Sequence, residues 1–137
     1  QNESEKAIEC FEKCVRIAEG VLKTNDQDFL STLYNNLGTL YIKLDQENKA
    51  NEYLHKAISL KEESNTENDI LDLGHLYRKV GIIYANHLKF QEAKTYFEKA
   101  FEAYNKTLGE FDIESRTTMT LLTEVKNRIK DLQKIET

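Results

Sequence analysis

Proline is absent from this 137-residue chain, and glycine occurs only five times. Both residues interrupt helices and are typical of turns, so their scarcity predicts a largely helical chain with short connections. Hydrophobic residues make up 39% of the chain and charged residues 31%, a balance that excludes a disordered composition and favours a folded interior. The length suits one domain.

An excess of basic charge is also lacking, because 19 lysines and arginines face 24 acidic residues and the formal net charge is −5. General affinity for nucleic acid depends on a basic surface that neutralises phosphates, so we expect no nucleic-acid partner. No apolar run approaches the roughly 20 residues that a helix needs to cross a bilayer, so we expect no membrane partner.

Residues that carry catalysis are few and scattered. The three histidines, His55, His75 and His87, do not cluster, and no serine or cysteine has a recognisable base or glycine-rich elbow near it. Neither glycine motif that cradles phosphates is present. We therefore predict that the chain is not an enzyme and holds no cofactor.

The two cysteines, Cys10 and Cys14, lie four residues apart on one face of a predicted helix. A disulfide between them would require unusual geometry, and no neighbouring cluster completes a metal site. We predict reduced thiols that fill space, and hence an intracellular protein that is cytoplasmic or associated with the cytoskeleton.

What the sequence does contain is an internal repeat with a period of 43 residues. Alanine recurs at Ala7, Ala50 and Ala93, and glycine recurs at Gly38 and Gly81. So many columns in one register are not a chance agreement. The remaining columns are Phe11, Leu54 and Phe97; Cys14, Ala57 and Ala100; Ile17, Leu60 and Ala103; Tyr34 and Tyr77; Leu37 and Val80; and Tyr41 and Tyr84.

These columns resemble the consensus of the tetratricopeptide repeat. Residues 34–41 and 77–84 each contain an aromatic residue, an aliphatic residue, a glycine and a second aromatic residue at the spacing of this consensus. The second half of the consensus, built on small residues around a large apolar one, follows at 50–57 and 93–100, and 7–14 supplies that half alone.

Two features make the resemblance more specific, and it extends over about residues 5–107. The period is about nine residues longer than the usual ~34. The segment 32–41 is similar to a helix of kinesin-light-chain-type repeats, which share the longer spacing, and Leu108 and Gly109 before an acidic turn are similar to the end of such a repeat.

The repeat implies an all-α fold, an α-solenoid of antiparallel helix pairs. Ridges of one helix enter grooves of the next when the axes approach to ~8–10 Å, and Gly38 and Gly81 would permit that approach. The repeated tyrosines and phenylalanines then fill the core rather than bind a cofactor. We expect about two and a half repeats followed by a C-terminal capping helix.

The pattern predicts six helices and a single array spanning 1–137. A polar loop is expected at 63–68, a helix stop at Gly109, and an N-terminal cap or first-turn acid at Asp45 or Glu47 and at Asp112. The helices are predicted at 3–23, 27–44, 47–64, 69–87, 90–108 and 112–135; residues 1–24 form the second helix of an incomplete repeat, 27–64 and 69–108 are full repeats, and 112–135 is the cap.

Both ends of the array depart from the repeat. The last helix carries one apolar stripe, Leu122, Val125, Ile129 and Leu132, which favours a capping helix, with pairing to another chain as the alternative. The first helix lacks its partner. We therefore expect that the chain is an excerpt of a longer repeat protein, or that another chain covers this helix.

The resemblance also implies where a partner binds, because the first helices of such pairs line the concave side of the array. Asparagine side chains can bond a peptide backbone, Arg78 could fork onto a carboxylate, and Lys79 could act as a point charge. Asn36 and Lys79 fall where chaperone-binding members of the family hold a C-terminal carboxylate, and His75 stands where a lysine is usual. The predicted peptide-binding residues are Thr32, Asn35, Asn36, Thr39 and Lys43 in one repeat, and His75, Arg78, Lys79, Ile82 and Asn86 in the next.

Two functions remain open at this point. The first is a scaffold that binds an acidic or mixed peptide or cargo segment on the concave face. The second is a structural piece of a large assembly, cytoskeletal or ciliary for example, contacted through its ends and convex surface. Under the second, Arg78 and Lys79 are an ordinary solvated basic pair.

Overall fold

A computed structural model describes residues 3–21, 26–64 and 66–136. These residues form six α-helices and no strand, so the predicted all-α class is confirmed. Every described helix boundary lies within two residues of its prediction, and residues 22 and 23 of the first predicted helix lie outside the described residues. The helices are α1 (Glu3–Val21), α2 (Gln27–Lys43), α3 (Glu47–Glu62), α4 (Glu67–Asn86), α5 (Phe90–Leu108) and α6 (Ile113–Glu136).

The chain divides into two compact bodies, an N-terminal body of Gln1–Ser64 and a C-terminal body of Asn65–Thr137. The N-terminal body packs α2 between α1 and α3. The hydroxyl of Ser31, early in α2, donates to the carbonyl of Ala57, late in α3, over 3.4 Å. Early residues of one helix therefore meet late residues of the next, which is the antiparallel arrangement that a short connection imposes.

Glycine permits the close packing of both helix pairs, as the sequence predicts. A β-carbon added at Gly38 would lie 2.7 Å from the side chain of Leu54, and one added at Gly81 would lie 2.6 Å from the ring of Phe97. Leu54 and Phe97 are themselves fully buried. Any side chain at either glycine would have to push the facing helix away.

In the C-terminal body, α5 packs against both α4 and α6. Phe97 shares a buried cluster with Leu122 and Val125 of α6, and Ile129 packs against its edge, whereas Leu132 is 49% exposed. Most of the stripe on α6 is thus occupied by α5 of the same chain. This contact agrees with the predicted capping helix rather than with a free seam for a second chain.

Capping residues fix where the helices of the C-terminal body begin and end. Thr66 accepts a hydrogen bond from the backbone N–H of Asp69 over 3.2 Å, so α4 begins at Glu67, two residues before its predicted start. Gly109 ends α5 with a φ of +91°, which confirms the predicted stop. Asp112 accepts from the N–H of Glu114 over 2.9 Å, which confirms the predicted cap of α6.

The helix α3 begins at Glu47, as predicted, and of the two predicted acids only Glu47 belongs to it. Its N-cap is Gln46, which makes no side-chain capping bond, and Glu47 is an acid in the first turn. Asp45 is not a cap but a turn residue in the left-handed region, with a φ of +56°, and Leu88 adopts the same conformation 43 residues later, at +61°. Aspartate tolerates this conformation because its short side chain bonds locally, whereas leucine does so at a cost.

The prediction that the cysteine side chains fill space is wrong. Cys10 and Cys14 are free thiols, and both are exposed. The face of α1 that packs in the N-terminal body carries Ile8, Val15 and Ala18 instead. The column of Cys14 is buried at Ala57 in α3 and at Ala100 in α5, where α2 and α4 pack, and no described helix takes that position against α1.

Candidate peptide-binding site

The five predicted residues of α2 occupy one face of the helix, since they recur at helical spacing. Two of their side chains are used within the helix itself: Thr32 donates to the carbonyl of Asp28 over 2.9 Å, and Thr39 donates to that of Asn35 over 3.0 Å. Asn36 and Lys43 are exposed. This row is polar and lies on the N-terminal body.

The five predicted residues of α4 likewise share one face, on the C-terminal body. His75, Arg78 and Lys79 are partly buried, whereas Ile82 and Asn86 are exposed. The structure therefore brings three basic or titratable side chains together at the centre of this row. Its apolar member, Ile82, stands one turn beyond them.

Arg78 is not the freely solvated side chain that a surface pair would present. Its guanidinium forms an ion pair with the carboxylate of Glu114 on α6 and lies 4.9 Å from the ring centroid of Tyr104 on α5. A second nitrogen of the guanidinium is 3.5 Å from the hydroxyl of Thr118. Arg78 thus joins all three helices of the body, and an incoming carboxylate would compete with Glu114 for it.

His75 belongs to the same cluster. Its Nδ1 atom is 2.6 Å from the hydroxyl of Tyr104 and 3.9 Å from the carboxylate of Glu114. Burial, together with the neighbouring charge of Arg78, lowers the pKa of His75 below its ordinary value, and the acid Glu114 opposes that shift. A neutral imidazole at neutral pH therefore faces Tyr104.

Lys79 lies next to Arg78 in the sequence and is also partly buried. Its burial, and then the charge of Arg78, lower its pKa, because both disfavour a second positive charge at this place. A negative group bound here would relieve that repulsion. The centre of the α4 row therefore holds two basic side chains whose charges repel each other.

Sequence reasoning missed the partners that organise this cluster, namely Tyr104 and Glu114. The repeat gives no signal for either residue, because the position of Tyr104 is occupied by Lys61 one repeat earlier, where it pairs with Asp28 over 3.2 Å. Glu114 lies in the helix that leaves the 43-residue register. Both contacts depend on side-chain packing rather than on a repeated column.

The described residues show no centre for metal chemistry and no membrane span. No group of three or more histidine, cysteine, aspartate or glutamate side chains among them could hold a metal ion. Of the helices that they form, none combines the length and the apolar character required to cross a membrane.

Comparison with known proteins follows the same repeats. Family models described as the tetratricopeptide repeat match residues 1–20 and 31–64 in one case and residues 73–114 in the other, together more than half of the chain. The chain belongs to the tetratricopeptide repeat family, whose repeats mediate protein–protein interactions and are typically non-enzymatic. No curated protein matches the sequence.

Two solved structures show the same fold. BtubC (BKLC) from P. vanneervenii matches 96% of this chain with a TM-score of 0.79 and 20% sequence identity. The nearly identical, kinesin-light-chain-type TPR-like repeats of Podosopora anserina match 96% of it with a TM-score of 0.77 and 16% identity. The chain spans only 51% and 61% of those two chains, respectively. The predicted fold is thereby confirmed.

Proposed function

We propose that the chain is a protein-interaction scaffold that binds an acidic or mixed partner peptide through the first helices of its repeats, α2 and α4. The observation that carries the proposal is the basic cluster at the centre of the α4 row, where Arg78 and Lys79 are held side by side and partly buried. The polar row of α2, on the N-terminal body, offers a separate set of groups that can bond a peptide backbone.

The cluster supports an anionic partner for an electrostatic reason. Arg78 pairs with Glu114, while burial and the neighbouring charge of Arg78 lower the pKa of Lys79. A peptide carboxylate near Lys79 would add a negative charge beside two positive ones and gain a charge-assisted hydrogen bond. Ile82, 40% exposed one turn further, offers an apolar contact beside it.

The partner can be captured with a photo-crosslinking amino acid placed at Ile82, which lies on the proposed face. The matched control carries the same group at Thr95, an exposed residue of α5 outside both proposed rows. A partner that crosslinks from position 82 and not from position 95 supports the proposed face. Equal capture at both positions contradicts it.

The captured segment then allows affinity to be measured. Removing both charges, with Arg78→Ala and Lys79→Ala together, is expected to weaken binding by about 1–3 kcal/mol if the contacts are buried and charge-assisted. Salt should weaken binding of the wild type, because partly exposed charges are screened. Unchanged affinity in the double variant would disprove the proposal.

Two single variants separate a binding role from damage to the body. Lys79→Ala keeps the ion pair between Arg78 and Glu114 and should still weaken binding. Lys106→Ala, the matched control, removes an exposed charge from α5 and should not. Helical content and unfolding midpoint, measured for each variant, show whether the body is intact.

The alternative function is that of a structural piece of an assembly, contacted through the ends of the chain. Of the two ends, only the first helix still exposes a surface that favours it. The stripe on α6 is largely packed on α5, but α1 exposes Ile17 together with both cysteines. Charge substitution of Ile17 should then abolish incorporation into the assembly and leave peptide binding unchanged. Incorporation that survives this substitution would exclude α1 as the contact.

A further inference from the structure

An apolar groove lies where α5 turns into α6, and no residue of the proposed peptide-binding rows lines it. It has a volume of about 590 Å³, and its apolar lining consists of Phe101, Phe111, Ile113 and Met119. Arg116 also lines it. All of these residues belong to the C-terminal body.

The exposure of this lining is unusual for a turn. Phe111 is 84% exposed and Ile113 is 68% exposed, whereas large apolar residues are generally withdrawn from water. The position matching Phe111 one repeat earlier is the polar Asn68. Phe111 is therefore specific to this turn, whereas Phe101, Ile113 and Met119 match the apolar Ile58, Ile70 and Leu76 one repeat earlier.

The groove is also held in shape before any ligand arrives. The hydroxyl of Ser115, which is fully buried, donates to the carbonyl of Gly109 over 2.7 Å. Asp112 caps the following helix through the N–H of Glu114. These bonds tie the turn to the first turn of α6, so binding would cost little ordering of the protein.

The residue types of α6 indicate which kind of ligand can enter the groove. The matching side of α4 is covered by α5, which approaches closely because Gly74 and Gly81 have no side chains there. The helix α6 contains no glycine. The very close helix packing that glycine permits is therefore not built into this side of α6, and the groove leaves room for a large side chain of a bound segment.

Charge narrows the choice of segment. The guanidinium of Arg116 makes no ion pair or hydrogen bond with any residue that the structure describes, although it lines an apolar space. An unpaired arginine beside an apolar surface favours a ligand that carries a carboxylate next to an apolar group. Glu110, also in the lining, would repel that carboxylate and so confines it to the side of Arg116.

We propose that this groove binds a short segment of a partner protein, which inserts a large apolar side chain between Phe111 and Met119 and sets a carboxylate against Arg116. The inference does not depend on the α4 row. It identifies a second interaction surface, carried by the turn before the capping helix.

The simplest probe is hydrocinnamate, which joins a phenyl ring to a carboxylate, compared with its neutral analogue, hydrocinnamyl alcohol. Met119 is the only methionine of the chain, so isotope labelling of methionine methyl groups gives one resonance at the groove. Hydrocinnamate should shift this resonance saturably with a dissociation constant on the order of 1 mM, as expected for so small a ligand. The alcohol should bind about tenfold more weakly.

Single substitutions test whether Arg116 causes the preference for hydrocinnamate over the alcohol. Arg116→Gln should make the two compounds bind equally, whereas Arg128→Gln, an exposed arginine of α6 outside the lining, should leave the preference intact. Glu110→Gln should strengthen binding of hydrocinnamate. Each of these results would support the assignment.

Three results would overturn the proposal. The first is a Met119 resonance that neither compound shifts in the wild type. The second is equal affinity of the two compounds in the wild type, which would remove the role of Arg116. The third is a resonance that shifts with protein concentration alone, which would assign the groove to a second copy of the chain.

Discussion

The ring of Phe97 lies directly on the backbone of Gly81, where a β-carbon would come within 2.6 Å of its Cε1 atom. Phe97 cannot swing aside easily, because it is 1% exposed and is packed against Leu122 and Val125 on its other side. One glycine thus sets the distance between α4 and α5 and, through Phe97, the position of α6. The repeat pattern of the sequence reflects this physical requirement.

Gly81→Ala is therefore expected to destabilise the protein. Alanine favours the helix by about 1 kcal/mol, but the forced overlap with a buried ring costs about 1–3 kcal/mol, so we expect a net loss of up to about 2 kcal/mol. Urea denaturation measures the change. The matched control is Gly20→Ala in α1, where nothing lies within 4 Å of an added β-carbon, and a small gain is expected. A gain at position 81 as well would contradict the overlap.

Leu88→Asn is expected to raise stability. Leu88 has a φ of +61° and is 74% exposed, so the side chain gives up little packing while its backbone is strained. Asparagine tolerates the left-handed region better, and we expect a gain of about 0.5–1 kcal/mol in the free energy of unfolding. The reverse change at the matching turn, Asp45→Leu, should cost a similar amount. Equal stability of all three proteins would show that the turn carries no strain.

The two leucines of the apolar stripe on α6 are expected to contribute unequally to the free energy of unfolding. Leu122 is buried against Phe97, so Leu122→Ala should cost about 2–5 kcal/mol by leaving a cavity. Leu132 belongs to the same stripe but is 49% exposed, and Leu132→Ala should change stability by only about 0.5 kcal/mol. Thermal unfolding monitored by circular dichroism measures both. Similar losses for the two variants would indicate that the far end of the stripe is covered in solution.

The sequence predicts the helices and the close contacts well because both are repeated. Gly38 and Gly81 recur at one offset, and each faces a large residue of the next helix that recurs at the same offset. The cluster around Arg78 could not be predicted in this way. Its partner Glu114 lies in a helix outside the register, and a single unrepeated ion pair leaves no periodic signal.

The error at the cysteines has a related cause. The repeat assigns Cys14 to a column that is fully buried at Ala57 and Ala100. Burial of a column depends on the helix that covers it, and the described residues contain no such helix against α1. The sequence thus predicts which face of the helix a residue lies on, but not whether another helix covers that face. The exposed Phe111 could not be predicted from the repeat, because the matching residue one repeat earlier is the polar Asn68.

His75 makes the protein sensitive to acid in a definite direction, because charged and polar groups from three helices face it. Burial and Arg78 lower its pKa, while nearby acids raise it, and the balance is a lowered value. Protonation of His75 is therefore harder in the folded protein than in the unfolded chain. The groups concerned are Asp72, Arg78 and Lys79 on α4, Tyr104 on α5 and Glu114 on α6.

Stability should consequently fall on acidification. As the pH decreases through about 6.5, the ordinary value of histidine, the unfolded chain takes up a proton that folded His75 does not, and the free energy of unfolding decreases until the pH is below the pKa in the folded state. His75→Gln cannot titrate, so its stability should change less over the same interval. Urea denaturation at a series of pH values below about 7.5 measures these slopes. Identical slopes for wild type and His75→Gln would show that the cluster does not resist protonation of the imidazole.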